Sequence, residues 1–246
     1  MFAAVSGPGP RRVELTGTAM RIAAIIPTLN EAAVIEATLR TLQPLRAAGH
    51  PIIVADGAST DATVALATPL ADAVVTAARG RARQMNAGAG ATAAQAYLFL
   101  HADTCLPDGA ADAIAAALDD GRHVWGRFDI AITGRSRWLP VVAAMMNLRS
   151  RATGIATGDQ AIFVTRDAFA AVGGFPDWPL MEDIGLSRAL KRLSPPAALR
   201  LRVTTAGRRW DAQGPVRTIV FMWWLRWRFF LGAKPERLAA LYSSIR

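Results

Sequence analysis

From Met20 onward the chain alternates short, uniformly apolar runs with longer stretches in which apolar residues return every three or four positions. Residues 21–27 carry Ile22, Ile25 and Ile26 and predict a strand; after the Thr28-Leu29-Asn30 turn, Ile35, Leu39, Leu42 and Leu45 predict a helix over 31–48. Residues 51–55 predict a second buried strand, and Ser59, Thr60 and Asp61 offer N-caps to a helix running through Leu66. Residues 73–76 and 97–100 predict further strands, separated by a helix over 81–93. Strands apolar on both faces and joined by crossover helices mean a parallel sheet covered on both sides. The chain up to Asp103 therefore has the pattern of a nucleotide-binding α/β half.

Beyond Asp103 the rhythm changes. Pro107 leads into a helix over 110–118, and residues 123–132 then alternate Val124, Gly126, Phe128, Ile130 and Ile132 with mostly polar neighbours, which predicts a strand with one solvated face in a mixed sheet. A helix over 139–149, a strand over 160–164, a short helix over 167–172, a helix over 183–193 and a strand over 199–203 follow. The fold class is α/β: a Rossmann-like half with a mixed central sheet, plus C-terminal helices.

Composition narrows the classes. With 246 residues, 52% hydrophobic and 19% charged, the chain suits one or two domains and carries too few charges for a disordered tail. No repeat of fixed period supports a solenoid. A single Cys105 and scattered His50, His101 and His123 exclude a disulfide framework and a Cys-based zinc site, and point to a reducing compartment. Residues 1–19 lack the ordered features of a signal sequence and, with Gly7, Pro8, Gly9 and Pro10, predict a disordered leader. The most apolar later stretch, 218–225, meets Arg226 and Arg228 well short of the ~20 residues of a spanning helix. A soluble or peripheral protein follows.

The net charge of +9 is uneven: from Arg188 onward 13 Lys or Arg stand against two acids, while the first 187 residues hold 15 basic and 17 acidic residues. The basic excess is interleaved with Trp and Phe rather than gathered in Lys-rich runs, which argues against nucleic acid and for phosphate groups or an anionic membrane surface.

Candidate chemistry sits at strand ends, because ligands of open α/β sheets bind outside the carboxyl ends of the strands. Those ends carry Asn30 and Glu31, then Asp56, then Asp103. Asp56 and Asp103 can each be ordinary turn residues; two acids ending neighbouring strands would converge. In order and spacing, Pro27-Thr28-Leu29-Asn30-Glu31, Asp56-Gly57-Ala58-Ser59-Thr60-Asp61, His101-Ala102-Asp103-Thr104, Gly173-Gly174-Phe175 and Glu182-Asp183 resemble the family 2 glycosyltransferases of the GT-A fold, over about residues 21–210. The run from Arg79 through Gly80, Arg81, Arg83 and Gln84 to Asn86, with Gly158-Asp159-Gln160, resembles a small bacterial subgroup associated with radical-SAM proteins and arsenosugar biosynthesis.

The resemblance implies metal-assisted transfer of a sugar from a nucleotide-diphosphate donor to a hydroxyl acceptor, by single displacement with inversion. It implies Asp103 as ligand of Mn or Mg at the family's DxD position, where the first acid is His101 here. Hard oxygen ligands suit those ions, and a divalent ion neutralises a diphosphate leaving group. It further implies donor contacts from Pro27, Asn30, Glu31, Asp56, Arg79, Gly80, Arg81, Arg83, Asp103, Arg209 and Trp210, acceptor contacts from Gly158, Asp159 and Gln160, and Asp183 as general base supported by Glu182. Many relatives carry a second Asp where this chain has Gly57.

Plainer readings stand beside these. Arg81 and Arg83 can form a solvated basic face, Gln84 and Asn86 can simply meet water, Glu182 and Asp183 can serve the helix N-terminus, and Trp210 can be a core residue flanked by Arg. The runner-up functions are a sugar nucleotidyltransferase and a non-catalytic nucleotide-binding, membrane-associated module. Residues 217–231, with seven apolar aromatic or Met side chains and Arg226 nearly opposite Arg217 and Arg228, predict a helix apolar almost all round that must pack on the catalytic domain, a bilayer surface or a second subunit. The expected organisation is a leader over 1–19, a catalytic domain over 20–212 and a helical segment over 213–246. The expected location is cytoplasmic, with a peripheral place at the inner face of the membrane as the alternative.

Overall fold

The computed structural model describes residues 20–207 and 214–243. The leader expected over 1–19 and the pair Arg209 and Trp210 lie outside the described residues.

One sheet of eight strands runs in the order β3-β2-β1-β4-β7-β6-β8-β5. The strands are β1 (Ile22–Thr28), β2 (Ile52–Asp56), β3 (Ala73–Thr76), β4 (Ala96–Phe99), β5 (Thr104–Cys105), β6 (Trp125–Thr133), β7 (Phe163–Thr165) and β8 (Ala197–Ala206). The first four are parallel, as the apolar runs predict, and β1 and β2 are buried along their whole length. Side chains alternate between two cores: Ile22, Ile26 and Leu98 on one face with Leu39 and Ile114, and Ile25, Tyr97 and Phe99 on the other with Met85, Phe169 and Leu190.

The covering helices are α1 (Ile35–Thr41), α2 (Gln43–Ala47), α3 (Thr63–Ala67), α4 (Arg81–Gly90), α5 (Ala110–Asp119), α6 (Leu139–Thr153), α7 (Arg166–Ala171) and α8 (Glu182–Leu190). The single helix expected over 31–48 is two. It breaks at Leu42 because Pro44, early in α2, has no N–H to continue the ladder and crowds the preceding turn.

The expected solvated face of the 123–132 strand is a second correction. Residues Trp125 to Ile130 are all buried, and the polar positions Arg127 and Asp129 are covered by α6. Arg127 pairs with Asp129, which Arg151 of α6 meets at 2.7 Å. Paired in this way, the charges can sit at buried positions.

Strand direction sets the site. β7 is antiparallel to β4, with Leu98 opposite Phe163, so the segment entering β7 lies beside the end of β4 at the carboxyl edge of the parallel strands. A helix over Pro215–Phe230, the aromatic helix, and a shorter one over Pro235–Ser243 close the described chain. Leu225, Phe229 and Leu238 pack with Ile155 and with Met181 and Ile184 around the start of α8, so the aromatic helix meets the α/β body on one side.

Candidate active site

The first two strand ends are tied to each other. Asn30 adopts a left-handed φ of +55°, its amide donates to Ser59 Oγ at 2.8 Å, and its side-chain oxygen accepts from the Thr60 amide at 2.8 Å. The Glu31 amide donates to Thr63 Oγ1 at 2.8 Å. Asp56 is buried and accepts from Thr28 Oγ1 (3.0 Å), the Ser59 amide (2.8 Å) and Ser59 Oγ (2.5 Å). In this arrangement Asp56 organises its turn, the plainer of the two sequence readings. Pro27 is buried in β1 opposite Ala55, beneath these loops.

At the N-terminus of α4, Gly80 takes φ +135°, a conformation suited to glycine, and Arg79 is exposed beside it. Arg83, close to Gly80, makes a two-pronged surface pair with Asp177 at 2.8 and 2.9 Å. Gln84 and Asn86 do more than meet water, the plainer expectation for them. Gln84 is buried, and its amide donates to the carbonyls of Thr28 (2.5 Å) and Ala55 (3.0 Å), clamping β1 to β2. Asn86 exchanges two hydrogen bonds of 2.9 Å with the backbone of Phe175, fixing the Gly173-Gly174-Phe175 turn. The Gln84 clamp also accounts for Gly57: a Cβ there would stand 3.0 Å from Gln84 Cδ and Nε2.

The groups that converge are His101, Asp159, Glu182, Asp183 and Arg81. Past β4, His101 is followed by Asp103, which is half-buried on the turn into β5. Beside it lies a turn of 3-10 helix, Gly158–Gln160, closed by a capping box between Thr157 and Gln160. His101 Nδ1 is 3.3 Å from Asp159 Oδ1, and a Cβ on Gly158 would come within 2.6 Å of His101 Nε2. The departure from an acid at position 101 is therefore coupled to Gly158 and Asp159. The same turn reaches the base candidate, because the Gly158 amide donates to Asp183 Oδ2 at 2.9 Å while the Ile184 amide donates to Oδ1 at 2.7 Å. Asp183 and Glu182 open α8 after Met181, which takes a left-handed φ of +67°. Carboxylates there also suit the helix N-terminus.

Electrostatics follow from that crowding. Loss of hydration, then repulsion from Asp183, pushes the buried Glu182 carboxyl up to about 7, against the pull of Arg81. Burial acts upward on Asp159 too, but the His101 hydrogen bond and the charges of His101, Arg81 and Arg226 outweigh it and leave Asp159 at about 2. Burial disfavours the Arg81 cation, yet Glu182 and the other nearby acids hold its pKa above the ordinary value. Glu182 gives Arg81 its full attraction only when ionised, above about pH 7; below that Asp159 and Asp183 carry it. Protein atoms ring Arg81 and Asp159, yet both keep a water-exposed face, 46% of the side chain for Asp159, which describes an open cleft.

Two cations in this cleft escape the sequence reading, Arg149 of α6 and Arg226 of the aromatic helix. Both feel Asp183 and Asp159. Arg226 had one signal, its place nearly opposite Arg217 and Arg228 in an otherwise apolar helix; Arg149 had none. A cavity of about 310 Å³ lies elsewhere, lined by Trp178, by Arg192 and by Gly185 and Arg188 of α8, two positions that helical spacing turns away from Asp183. The charged cleft, not this cavity, gathers the groups with chemistry to offer.

Among the described residues no three His, Cys, Asp or Glu side chains gather as a metal cage. Mg²⁺ is commonly held by one or two carboxylates plus substrate phosphates, so Asp103 fits a divalent ion that a diphosphate completes. His101 is engaged with Asp159.

A family model described as glycosyl transferase family 2 matches residues 23–172. No curated protein sequence matches the chain. Among solved structures, TarS 1-349 of S. aureus in complex with UDP-GlcNAc is similar at TM-score 0.62 and 16% identity, covering 76% of this chain and 58% of that one. The mannosyltransferase PcManGT of Pyrobaculum calidifontis in complex with GDP-Man and Mn2+ is similar at TM-score 0.58 and 22% identity, covering 84% and 60%. Glucosyl-3-phosphoglycerate synthase of Mycobacterium tuberculosis, in complex with Mn2+, UDP and glucosyl-3-phosphoglycerate, is similar at TM-score 0.54 and 20% identity, covering 76% and 71%. The chain thus spans about three fifths of the length of the first two. At these identities the likeness establishes the fold, an α/β architecture of the GT-A type.

Proposed function

The chain belongs to glycosyl transferase family 2, and we propose that it moves a sugar from a nucleotide-diphosphate sugar to an acceptor hydroxyl by single displacement with inversion. The observation that carries the reading is the Asp183 carboxylate, positioned by the Gly158 and Ile184 amides at the mouth of the cleft. Those two donors occupy about half of the lone-pair sites of a carboxylate and leave the rest for a hydroxyl proton. In the step, the acceptor oxygen bonds to the anomeric carbon, its proton passes to Asp183, and the bond to the diphosphate breaks with its electron pair leaving on phosphate oxygen. One base and one displacement invert the anomeric centre. Arg81, kept cationic among the acids of the cleft, faces charge that grows on the leaving group. Asp103 is the protein ligand for Mn or Mg, which when bound would neutralise the diphosphate. Glu182 supports Asp183, and the Gly158–Gln160 turn borders the acceptor.

We assign the chemistry to residues 20–212 and surface attachment to 213–246, and propose the radical-SAM-associated subgroup as the functional setting for the Arg79–Asn86 and Gly158–Gln160 motifs. Trp223, Trp227 and Phe230 on the aromatic helix and Leu231 at its C-terminal cap are each more than half exposed, alongside Arg217 and Arg228. Trp with Arg suits an anionic bilayer surface better than a second subunit, and this supports the reading of an enzyme working at the inner face of a membrane. Among the described residues no helix is long and apolar enough to cross one.

A thermal-shift panel of UDP-, GDP-, dTDP- and CMP-sugars with Mn²⁺ or Mg²⁺ tests the reading. A ligand at 100 times its dissociation constant stabilises by about 2.7 kcal/mol. One donor class should shift the wild type in the presence of metal, and Asp103→Asn should lose the metal dependence. No shift with any donor contradicts the proposal.

A further inference from the structure

Two guanidinium groups in the cleft hold buried nitrogens that meet no hydrogen-bond acceptor among the described residues: Arg149 through Nε and Nη2, and Arg226 through Nε. They arrive from different elements, α6 and the aromatic helix. Burial, then the nearby Arg226 cation, brings Arg149 down to about 10, and Asp183 and Asp159 act on both arginines. Leu225 and Phe229, which flank Arg226 on the aromatic helix, pack on Met181 and Ile184, which flank Glu182 and Asp183, so the pair borders the same cleft as the proposed base. Gln160, fully buried next to Asp159 in sequence, also has an Nε2 that no acceptor meets.

Buried donors without acceptors are costly, and like charges held together are costlier. Neither arginine forms a contact ion pair with Asp159 or Asp183, whose oxygens serve His101 and the Gly158 and Ile184 amides instead. The planar forks of two guanidinium groups match the oxygens of a phosphate. An anion entering here would face Asp159 and Asp183, and Glu182 once it ionises above about pH 7, while Arg81, Arg149 and Arg226 supply three guanidinium groups; below that pH, with Glu182 protonated, the cations outnumber the carboxylates. We propose that Arg149 and Arg226 form an anion subsite that takes a phosphate-type oxyanion of a bound substrate. The subsite rests on the glycosyl-transfer reading only for which substrate brings the anion, the diphosphate of the donor or a phosphate on the acceptor.

Inorganic phosphate is the probe, titrated against full-length protein at constant ionic strength set with chloride. The wild-type melting temperature should rise with phosphate, and Arg149→Gln and Arg226→Gln should each weaken apparent affinity about tenfold or more, the loss expected for one charge-assisted hydrogen bond. Without phosphate, both variants should melt at or above the wild-type temperature, since each removes an unmet buried charge; a structural role predicts a fall. Arg149→Lys and Arg226→Lys, which keep the charge and lose the fork, should bind phosphate between wild type and Gln, and they carry the test if a Gln variant fails to fold. A wild type indifferent to phosphate, or variants that respond as it does, overturns the subsite. Repeating the titration in saturating UDP or GDP separates the sources: competition assigns the subsite to the donor diphosphate, persistence to the acceptor. A protein that ignores every nucleoside diphosphate yet answers phosphate through both arginines keeps the subsite and sinks the transfer reading.

Discussion

Replacing Glu182 with Gln should stabilise the protein at pH 8 and leave its stability at pH 4.5 nearly unchanged. The residue is 7% exposed, and loss of hydration, with Asp183 second, raises its carboxyl from 4.5 to about 7 despite Arg81. Below the unfolded value of 4.5 the group is protonated in both states and contributes no pH dependence. Between 4.5 and about 7 the folded state retains a proton that the unfolded chain has released, so stability falls as pH rises. Above that window the whole penalty is present, about 3 kcal/mol for a shift of this size. Gln keeps the shape and cannot ionise, so the advantage of the variant should grow across the window toward that figure. Urea denaturation at pH 4.5 and pH 8 measures it, with m-values checking that the unfolded state is the same. An advantage equal at the two pH values, or a variant less stable at pH 8, would refute the reasoning.

Gly158→Ala puts a methyl within 2.6 Å of His101 Nε2. His101 should be displaced from Asp159, whose carboxyl should climb from about 2, read by carbon-detected NMR titration; an unmoved Asp159 contradicts the coupling. Trp223→Ala with Trp227→Ala, at positions 55% and 59% exposed, should remove salt-sensitive flotation with anionic vesicles while the melting temperature stays put. A wild type that does not float at low salt eliminates the membrane surface.

The sheet was legible because burial on both faces leaves continuous apolar runs, as in Ile22 to Pro27 and Ile52 to Ala55, which only a covered parallel sheet accommodates. What escaped depends on partners far away in the chain. Arg127 and Asp129 looked solvated because Arg151, which completes their charge balance, belongs to another element. The partner of Arg83 is hidden in the same way, because Asp177 lies 94 residues on. Gln84 and Asn86 carry no periodic signature, and their bonds to the backbone of β1, β2 and Phe175 exist only once the sheet is built. The site was read through motif order, which marked Asp159, Glu182 and Asp183; the Gly158 amide that joins two of those motifs required the antiparallel β7 to bring its entry turn beside β4. Asp56 and Gly57 show the reverse case, motif positions whose local bonding the turn and Gln84 explain.

The central claim is that Asp183 removes the acceptor proton during glycosyl transfer. The most direct measurement compares wild type with Asp183→Asn, using the nucleotide sugar that binds, Mn²⁺ and an accepting hydroxyl compound, and follows nucleoside diphosphate release together with donor affinity. A positioned base contributes about 10²- to 10⁴-fold in rate. The account predicts a loss of that order in kcat for the variant, with donor dissociation constant nearly unchanged and product of inverted configuration from the wild type. A variant that turns over at the wild-type rate, or a product that retains configuration, would contradict it.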